Sequence, residues 1–359
     1  MTATSLRVAV LWEHLSGYTQ AAIRAVTARP GTEVLVVQRS RERNAAFDQA
    51  LEGATVIDLS APSAPDDLVA RIRAFAPDVT LVTNSPDPRY RAVAEDNRRH
   101  GRLTVWASDV PPRAWWRDLY GMVNGRLGAL SAYQAALVPG ASGAAYARRV
   151  GFSERQIFRG LYTCDTALFR AVGIARHGAT ADSSWPRVFL FVGQFIPRKG
   201  LDTLLAAYAA YRTSTPDPWE LWCVGAGPLR EQLMGREGVR TFDFAPPVEC
   251  AELMRRAGTL ILPSRIDHWG VVIHEAACAG LPVIASRTSY AALDLVEEER
   301  SGYTFEAGDV AHLARLMTAC ADATWARALG ARSLALSYRC DPAIFAKTLC
   351  EDIPERLRR

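Results

Sequence analysis

One stretch decides the fold: Leu260-Ile-Leu-Pro-Ser-Arg-Ile-Asp267-His-Trp-Gly270-Val-Val-Ile-His-Glu275-Ala-Ala-Cys-Ala-Gly280-Leu-Pro-Val-Ile-Ala-Ser286. Its first apolar run predicts a strand that ends at Pro263-Ser264, and a polar loop follows. A helix is predicted from near Gly270 to Gly280, because a glycine at a helix end can take the left-handed conformation and Pro282 comes soon after it. The next apolar run completes a strand-helix-strand unit, which requires parallel strands.

The same alternation of short apolar runs and amphipathic stretches covers most of the chain. Apolar runs of this length are typical of buried parallel strands. Strands are predicted at residues 7–12, 33–37, 79–83, 103–106 and 136–138, and again at 188–192, 220–224, 239–242, 259–262 and 281–285. Helices are predicted between them, for example at residues 19–29, 65–74 and 89–100.

Residues 173–187 interrupt this alternation, since they are small and polar and show no period. They predict a linker. We therefore expect an α/β protein of two Rossmann-like, doubly wound parallel-sheet domains, residues 1–172 and 188–337, facing a central cleft. The segment 338–359 has a helical pattern and is predicted to pack back on the first domain. Ligands of such domains bind outside the carboxyl ends of the strands.

The bulk composition is that of a folded globular protein, and 359 residues favour two domains. The 42 basic and 38 acidic residues leave a net charge of +4, too weak an excess to indicate a nucleic-acid-binding protein. None of the seven cysteines forms a C-x-x-C pair, which argues against a zinc site or a disulfide framework. No apolar run is long enough to span a bilayer, so we expect a cytoplasmic protein.

The opening stretch carries two acids, Asp267 and Glu275, on either side of a predicted helix start. The backbone amides of Gly270 and Val271 are expected to point unpaired N–H groups out of that start, which is a suitable site for a diphosphate. Gly270 also lets the backbone come close to a ligand. Two acids in a β-α-β turn can equally cap or solvate a helix, and that alternative stays open on these residues alone.

The stretch resembles the signature of glycosyltransferase family 4, P-S-x-x-E-x-F-G-x-x-x-x-E-A-x-A-x-G-x-P-V. Asp267 stands for the first Glu and Trp269 for the Phe, while Gly270 and Glu275 match. The resemblance implies the two-domain glycosyltransferase-B architecture and a retaining enzyme that uses a nucleoside diphosphate sugar. It also implies that Asp267 lies near the transferred sugar, that Glu275 binds the ribose hydroxyls, and that the donor contacts the backbone from Trp269 to Val272.

A second match lies at Phe189-Leu-Phe-Val-Gly193-Gln194-Phe-Ile-Pro-Arg198-Lys199-Gly200-Leu-Asp202, similar to the family's V-G-R-x-x-x-x-K-G-x-D. The resemblance implies that Lys199 binds the diphosphate and neutralises charge on the leaving group. Gln194 stands where the family has Arg, so phosphate binding is predicted to be either weaker or shared with Arg198. Arg198 and Lys199 can also be a solvated pair at a helix start.

Two weaker matches complete the predicted donor site. Leu221-Trp-Cys-Val-Gly225-Ala-Gly227-Pro-Leu229 resembles the family's V-G-x-G-P-L turn beside the nucleotide, although a tight turn without ligand contact fits it equally well. Gly17 follows the first strand, where the family has a glycine loop that faces the donor and acceptor. Histidines such as His268 and His274 show no metal spacing, and since Lys199 supplies positive charge we expect no metal and no other cofactor.

Trp115, Trp116 and Arg117 belong to a stretch that mixes tryptophans with arginines. Such a stretch could rest on a membrane surface and present a lipid-linked acceptor. The usual alternative is a helix face packed on its own sheet. Weak contact with the inner membrane face is therefore one of two expectations for this segment.

The sequence as a whole predicts a retaining glycosyltransferase that moves a sugar from a nucleoside diphosphate sugar to a hydroxyl acceptor, in polysaccharide, glycolipid or glycoconjugate biosynthesis. Asp267, Glu275 and Lys199 are its candidate catalytic residues. The alternatives are a non-catalytic nucleotide-sugar-binding protein of the same fold and a nucleotide-sugar epimerase or hydrolase.

Overall fold

The computed structural model describes residues 5–40, 51–110, 123, 128, 130–178 and 184–358. The chain forms two compact units. The first comprises Met1–Cys164 and Asp341–Arg359, and the second comprises Asp165–Cys340. Each unit is built on its own parallel sheet.

Seven strands form the sheet of the first unit within its described residues, in the order β3-β2-β1-β4-β5-β6-β7. They are β1 (Leu6–Trp12), β2 (Thr32–Gln38), β3 (Ala54–Asp58), β4 (Val79–Thr83), β5 (Leu103–Ala107), β6 (Ala135–Val138) and β7 (Ile157–Arg159). All neighbours are parallel. The central strands are buried on both faces, which explains their continuous apolar runs.

Helices connect these strands and cover the sheet. They are α1 (Gly17–Thr27), α2 (Leu68–Phe75), α3 (Pro88–Arg99) and α4 (Ala141–Arg149). The C-terminal helices α12 (Pro342–Lys347) and α13 (Ile353–Arg358) also belong to this unit, and Phe345 and Ile353 are buried in its core.

Six strands form the sheet of the second unit within its described residues, in the order β10-β9-β8-β11-β12-β13. They are β8 (Val188–Val192), β9 (Glu220–Val224), β10 (Val239–Phe242), β11 (Thr259–Leu262), β12 (Val283–Ser286) and β13 (Gly302–Phe305). The helices are α5 (Thr166–Gly178), α6 (Leu201–Ser214), α7 (Pro247–Arg255), α8 (Val272–Cys278), α9 (Ala291–Leu295), α10 (Val310–Cys320) and α11 (Ala323–Leu336).

The predicted linker at residues 173–187 is wrong over its first part, because α5 continues to Gly178. One of its small residues, Gly173, is needed for packing. A Cβ on Gly173 would lie 2.3 Å from the carbonyl oxygen of Cys278, so only glycine lets α5 pack this closely on α8. Arg176 of α5 also donates hydrogen bonds to backbone carbonyls at the end of α7, among them that of Met254 at 2.5 Å. Gly173 and Arg176 therefore attach this segment to the second unit.

Three strands were not predicted from the sequence. β3 is partly exposed at a sheet edge, β7 has three residues, and β13 has four. The predicted helix from Gly270 to Gly280 is shorter than expected, since α8 begins at Val272 and ends at Cys278. Trp115, Trp116 and Arg117 lie outside the described residues. In the part of the chain that is described, no helix has both the length and the apolar character needed to cross a membrane.

Candidate functional site

The order of the second sheet reverses between β8 and β11, which are hydrogen-bonded neighbours. The chain leaves β8 toward β9 on one side and leaves β11 toward β12 on the other. The loops after these two strands therefore diverge and leave a crevice at their carboxyl ends, where open α/β sheets bind ligands. The loop after β8 carries Lys199, and the loop after β11 carries Asp267.

Direct backbone contacts join these two loops. The amide of Arg265 donates a hydrogen bond to the carbonyl of Arg198 at 2.8 Å. Gly200 has φ +70°, and a Cβ there would lie 2.1 Å from the carbonyl oxygen of Pro263. The family-like K-G pair thus has a structural reason, since glycine after Lys199 permits the left-handed turn and the close approach.

Lys199 and Asp267 form an ion pair, with Nζ 2.5 Å from Oδ2. The side chains are only 12% and 10% exposed. The hydroxyl of Ser264 donates to the same carboxylate oxygen at 3.3 Å. The chain contains only one other lysine, Lys347, although it has 42 basic residues. Two of the three predicted catalytic residues are therefore in direct contact.

The loop that carries Asp267 is held from its other side as well. Its amide donates to the carbonyl of Thr288 at 3.0 Å, and Asp267 forms an isolated bridge with Ser289. The hydroxyl of Ser286 donates to the carbonyl of Ser264 at 2.6 Å. The position of the carboxylate is thus fixed by the ends of two strands, β11 and β12.

Gly270 follows with φ +93°, a conformation that glycine adopts without strain. The position of a Cβ on Gly270 lies 3.8 Å from Oδ2 of Asp267, so this backbone lies beside the ion pair. The amides of Gly270, Val271 and Val272 have no acceptor among the described residues. Unpaired amides next to an ammonium are suited to binding an anion.

Trp269 and His274 support this backbone from inside. Trp269 Nε1 donates to Nε2 of His274 at 2.7 Å, and both rings are buried. Burial lowers the pKa of His274 to about 3, so the ring is neutral and carries its proton on Nδ1. Nδ1 has no hydrogen-bond partner in the described part of the chain. Trp269 therefore orients the backbone before α8, and its ring is not exposed to stack on a ligand.

Glu275 lies one turn into α8 and is partly buried. Burial is the main cause that raises its pKa from 4.5 to about 7, with a smaller contribution from Cys278. Its carboxylate has no hydrogen-bond or ion-pair partner among the described residues. A carboxylate in this state gains stability from a ligand that donates hydroxyl hydrogen bonds.

The remaining predicted donor residues of the second unit are placed differently. Gln194 and Arg198 are exposed, with one long hydrogen bond of 3.4 Å between them. Gly225 has φ +147°, and a Cβ there would lie 2.0 Å from the carbonyl oxygen of Gly193. Packing of one turn on another thus explains this glycine, and its contact with a donor stays a prediction.

Gly17 belongs to the first unit, where it is the first residue of α1. Beside it, the rings of Tyr18 and Tyr162 meet edge-on at 5.1 Å, and the Tyr162 hydroxyl donates to Asp109 at 2.9 Å. Among the described residues, no group of three or more His, Cys, Asp or Glu side chains is placed to hold a metal ion.

Comparison with known proteins finds similarity in the second unit. Residues 186–322 match the family described as Glycosyl transferases group 1. The D-inositol 3-phosphate glycosyltransferase of Streptomyces scabiei is 32% identical over 169 residues, which are 43% of this chain and 37% of that relative. The enzyme of that name from Jonesia denitrificans is 34% identical over 28% of this chain and 26% of its own. The matches thus span about a third of these relatives or less.

Solved structures extend the likeness to the whole chain. The Anabaena protein HepE, in complex with UDP and glucose, has a TM-score of 0.68 at 17% identity and covers 98% of this chain and 100% of its own. Sucrose-phosphate synthase from Thermosynechococcus elongatus has a TM-score of 0.72 at 20% identity, over 98% of this chain and 99% of its own. The predicted fold class, two parallel α/β domains of the glycosyltransferase-B type, is confirmed. Membership of family 4 stays a prediction.

Two side-chain contacts of the site were not predicted from the sequence. Ser264 bonds to Asp267, and its signal was the P-S pair that opens the signature. His274 accepts the Trp269 N–H, and a spacing of five residues carries no helical signal for such a pair. Only the packing of the loop against α8 brings these two rings together.

Proposed function

We propose that the protein is a retaining, metal-independent glycosyltransferase that moves a sugar from a nucleoside diphosphate sugar to a hydroxyl acceptor. One observation carries the proposal: Lys199 and the backbone of Gly270, where a run of unpaired amides begins, lie beside the same carboxylate at the reversal point of the second sheet. The match of residues 186–322 to glycosyl transferases group 1 supports it, as do the UDP and glucose bound by HepE.

In the proposed reaction, the acceptor oxygen forms a bond to the anomeric carbon while the bond from that carbon to the diphosphate breaks. The departing phosphate oxygen takes the proton of the hydroxyl. Negative charge grows on the diphosphate, where Lys199 and the amides of Gly270 and Val271 stabilise it. Glu275 accepts hydrogen bonds from the ribose, and Asp267 accepts them from the transferred sugar. Arg198 adds charge at the exposed side.

The first test is a thermal-shift screen of UDP-, GDP- and ADP-sugars, since a ligand that binds only the folded state stabilises it by mass action. A stabilising donor is then incubated with candidate acceptors, including inositol phosphate, which the relatives' names suggest, and neutral sugars. Transfer with retention, read from the anomeric proton signals of the product, supports the proposal. Absence of stabilisation by every donor contradicts it.

The same assay separates the two alternatives. A pure binding protein gives stabilisation without turnover for every acceptor. An epimerase or hydrolase consumes the donor when no acceptor is present. Lys199→Met is the control protein for all three readouts, namely stabilisation, transfer and consumption of the donor. It removes the charge proposed to bind the diphosphate and keeps most of the length of the side chain. We propose polysaccharide, glycolipid or glycoconjugate biosynthesis as the setting, with contact at a membrane surface through Trp115, Trp116 and Arg117.

A further inference from the structure

The ion pair between Lys199 and Asp267 presents a conflict with the role of the lysine as a diphosphate ligand. Nζ lies 2.5 Å from Oδ2, and both side chains are about nine-tenths buried. The ammonium is thus already neutralised by an anion of the protein. A second anion brought to the same nitrogen would lie close to the first, and two buried anions in contact repel each other strongly.

Only one member of the pair is free to move. The carboxylate of Asp267 is on a short side chain, its backbone amide is bonded to Thr288, and Ser264 donates to its oxygen. Lys199 has a flexible side chain of four methylene groups and is the last residue of a three-residue turn, Pro197–Lys199. Binding of a diphosphate therefore requires the ammonium to move while the carboxylate stays in place.

We propose that Asp267 is the anionic partner of Lys199 in the free protein, and that the diphosphate of the intact donor replaces Asp267 as this partner on binding. This proposal rests on the function proposed above. Once the ammonium has moved, the Asp267 carboxylate accepts hydrogen bonds from hydroxyl groups of the transferred sugar. Asp267 is thus a positioning residue for Lys199 and a specificity residue for the sugar.

Discrimination between donor and product follows from this exchange. The Gly270 backbone lies beside the Asp267 carboxylate, so a diphosphate bound there lies near the released negative charge. An intact nucleotide sugar supplies hydroxyl groups to that carboxylate. A nucleoside diphosphate that lacks the transferred sugar supplies no hydroxyl group to that carboxylate. Its diphosphate then faces the Asp267 carboxylate as a second anion, so it binds more weakly. The exchange favours release of the product after transfer.

The binding test compares UDP-glucose with UDP, and GDP-mannose with GDP, by isothermal titration; the pair that binds wild type is used. Asp267→Asn removes the charge and keeps the shape. We expect it to tighten binding of the nucleoside diphosphate by about tenfold and to leave binding of the nucleotide sugar within about threefold. The preference for the intact donor then disappears. Equal weakening of both ligands would show a merely structural role and overturn the proposal.

Two matched variants control this measurement. Asp202→Asn removes a carboxylate of the same unit that pairs with the exposed Arg265, and it should leave the preference unchanged. Asp267→Glu retains the negative charge and should keep the preference for the intact donor. If Asp202→Asn binds the nucleoside diphosphate more tightly by the same factor as Asp267→Asn, the change in net charge explains the gain. That result would refute the exchange.

The two lysines of the chain allow a test without any nucleotide. Lys347 is 60% exposed and serves as an internal control for acetylation measured by mass spectrometry. In Asp267→Asn, Lys199 has lost its anionic partner and should be acetylated at least about fivefold faster than in wild type. The acetylation rate of Lys347 should be the same in both proteins. An unchanged Lys199 rate would refute the ion-pair exchange. If no nucleotide sugar binds wild type, the proposed function fails and the exchange with a donor fails with it, while this measurement still tests whether Asp267 is the partner of Lys199 in the free protein.

Discussion

Glu275→Gln should make the fold more stable and the protein less able to bind its donor. The pKa of Glu275 is raised from 4.5 to about 7, chiefly because burial disfavours the charged form. The folded protein therefore holds a proton that the unfolded chain releases between these two values. The contribution of the protonated Glu275 to the free energy of unfolding is complete below pH 4.5 and is lost as pH rises toward 7.

The size of this effect follows from the shift. One pKa unit corresponds to about 1.36 kcal/mol, so the shift of Glu275 corresponds to about 3 kcal/mol of lost stability above pH 7. This figure is a ceiling, since the side chain keeps some contact with solvent. Glutamine cannot ionise and avoids this cost. The variant should match wild type near pH 4.5 and exceed it by up to about 3 kcal/mol at pH 8.5.

Urea unfolding of both proteins at pH 4.5 and pH 8.5 measures this difference. Glu231→Gln is the control, because Glu231 is exposed in the same unit and its replacement should leave the pH dependence of stability unchanged. In the thermal-shift screen, Glu275→Gln should lose about tenfold or more in donor affinity, since a hydrogen bond to a charged carboxylate contributes about 1.5–3 kcal/mol. A stability difference that is the same at both pH values would refute the reasoning about burial.

Three further predictions concern the scaffold and the chemistry. Gly200→Ala should unfold or severely destabilise the second unit, because its Cβ would lie 2.1 Å from a carbonyl oxygen. Gly31→Ala is the control, since Gly31 has a similar φ and nothing within 4 Å of the added Cβ, and it should lower the free energy of unfolding in urea by only about 1–2 kcal/mol. Trp269→Phe leaves the buried His274 acceptor unpaired and should cost about 1–3 kcal/mol, while Trp222→Phe, whose Glu220 partner is exposed to solvent, should cost less; equal losses would contradict the assignment. Transferase activity should survive EDTA, since Lys199 supplies the positive charge; loss of activity that Mg²⁺ or Mn²⁺ restores would show that a metal is needed.

Much of the fold could be predicted from the chain alone. The apolar runs of β8, β9 and β11 gave the observed bounds, because strands buried on both faces of a parallel sheet are apolar throughout. The strands β3, β7 and β13 could not, since β3 is partly exposed, β7 has only three residues, and β13 (Gly-Tyr-Thr-Phe) lacks a continuous apolar run. The predicted linker was wrong for a related reason: Gly173 is required by close helix packing, and composition alone cannot distinguish such a glycine from one in a loop.

The sequence by itself determined the types of group at the site, namely one lysine, two acids and a glycine-led loop, because each lies in a motif with local spacing. Only the tertiary structure decided how they interact. Lys199 and Asp267 are 68 residues apart, and their ion pair exists because β8 and β11 are neighbours at the point where strand order reverses. The raised pKa of Glu275 likewise depends on burial by residues from elsewhere in the chain, which no local pattern records.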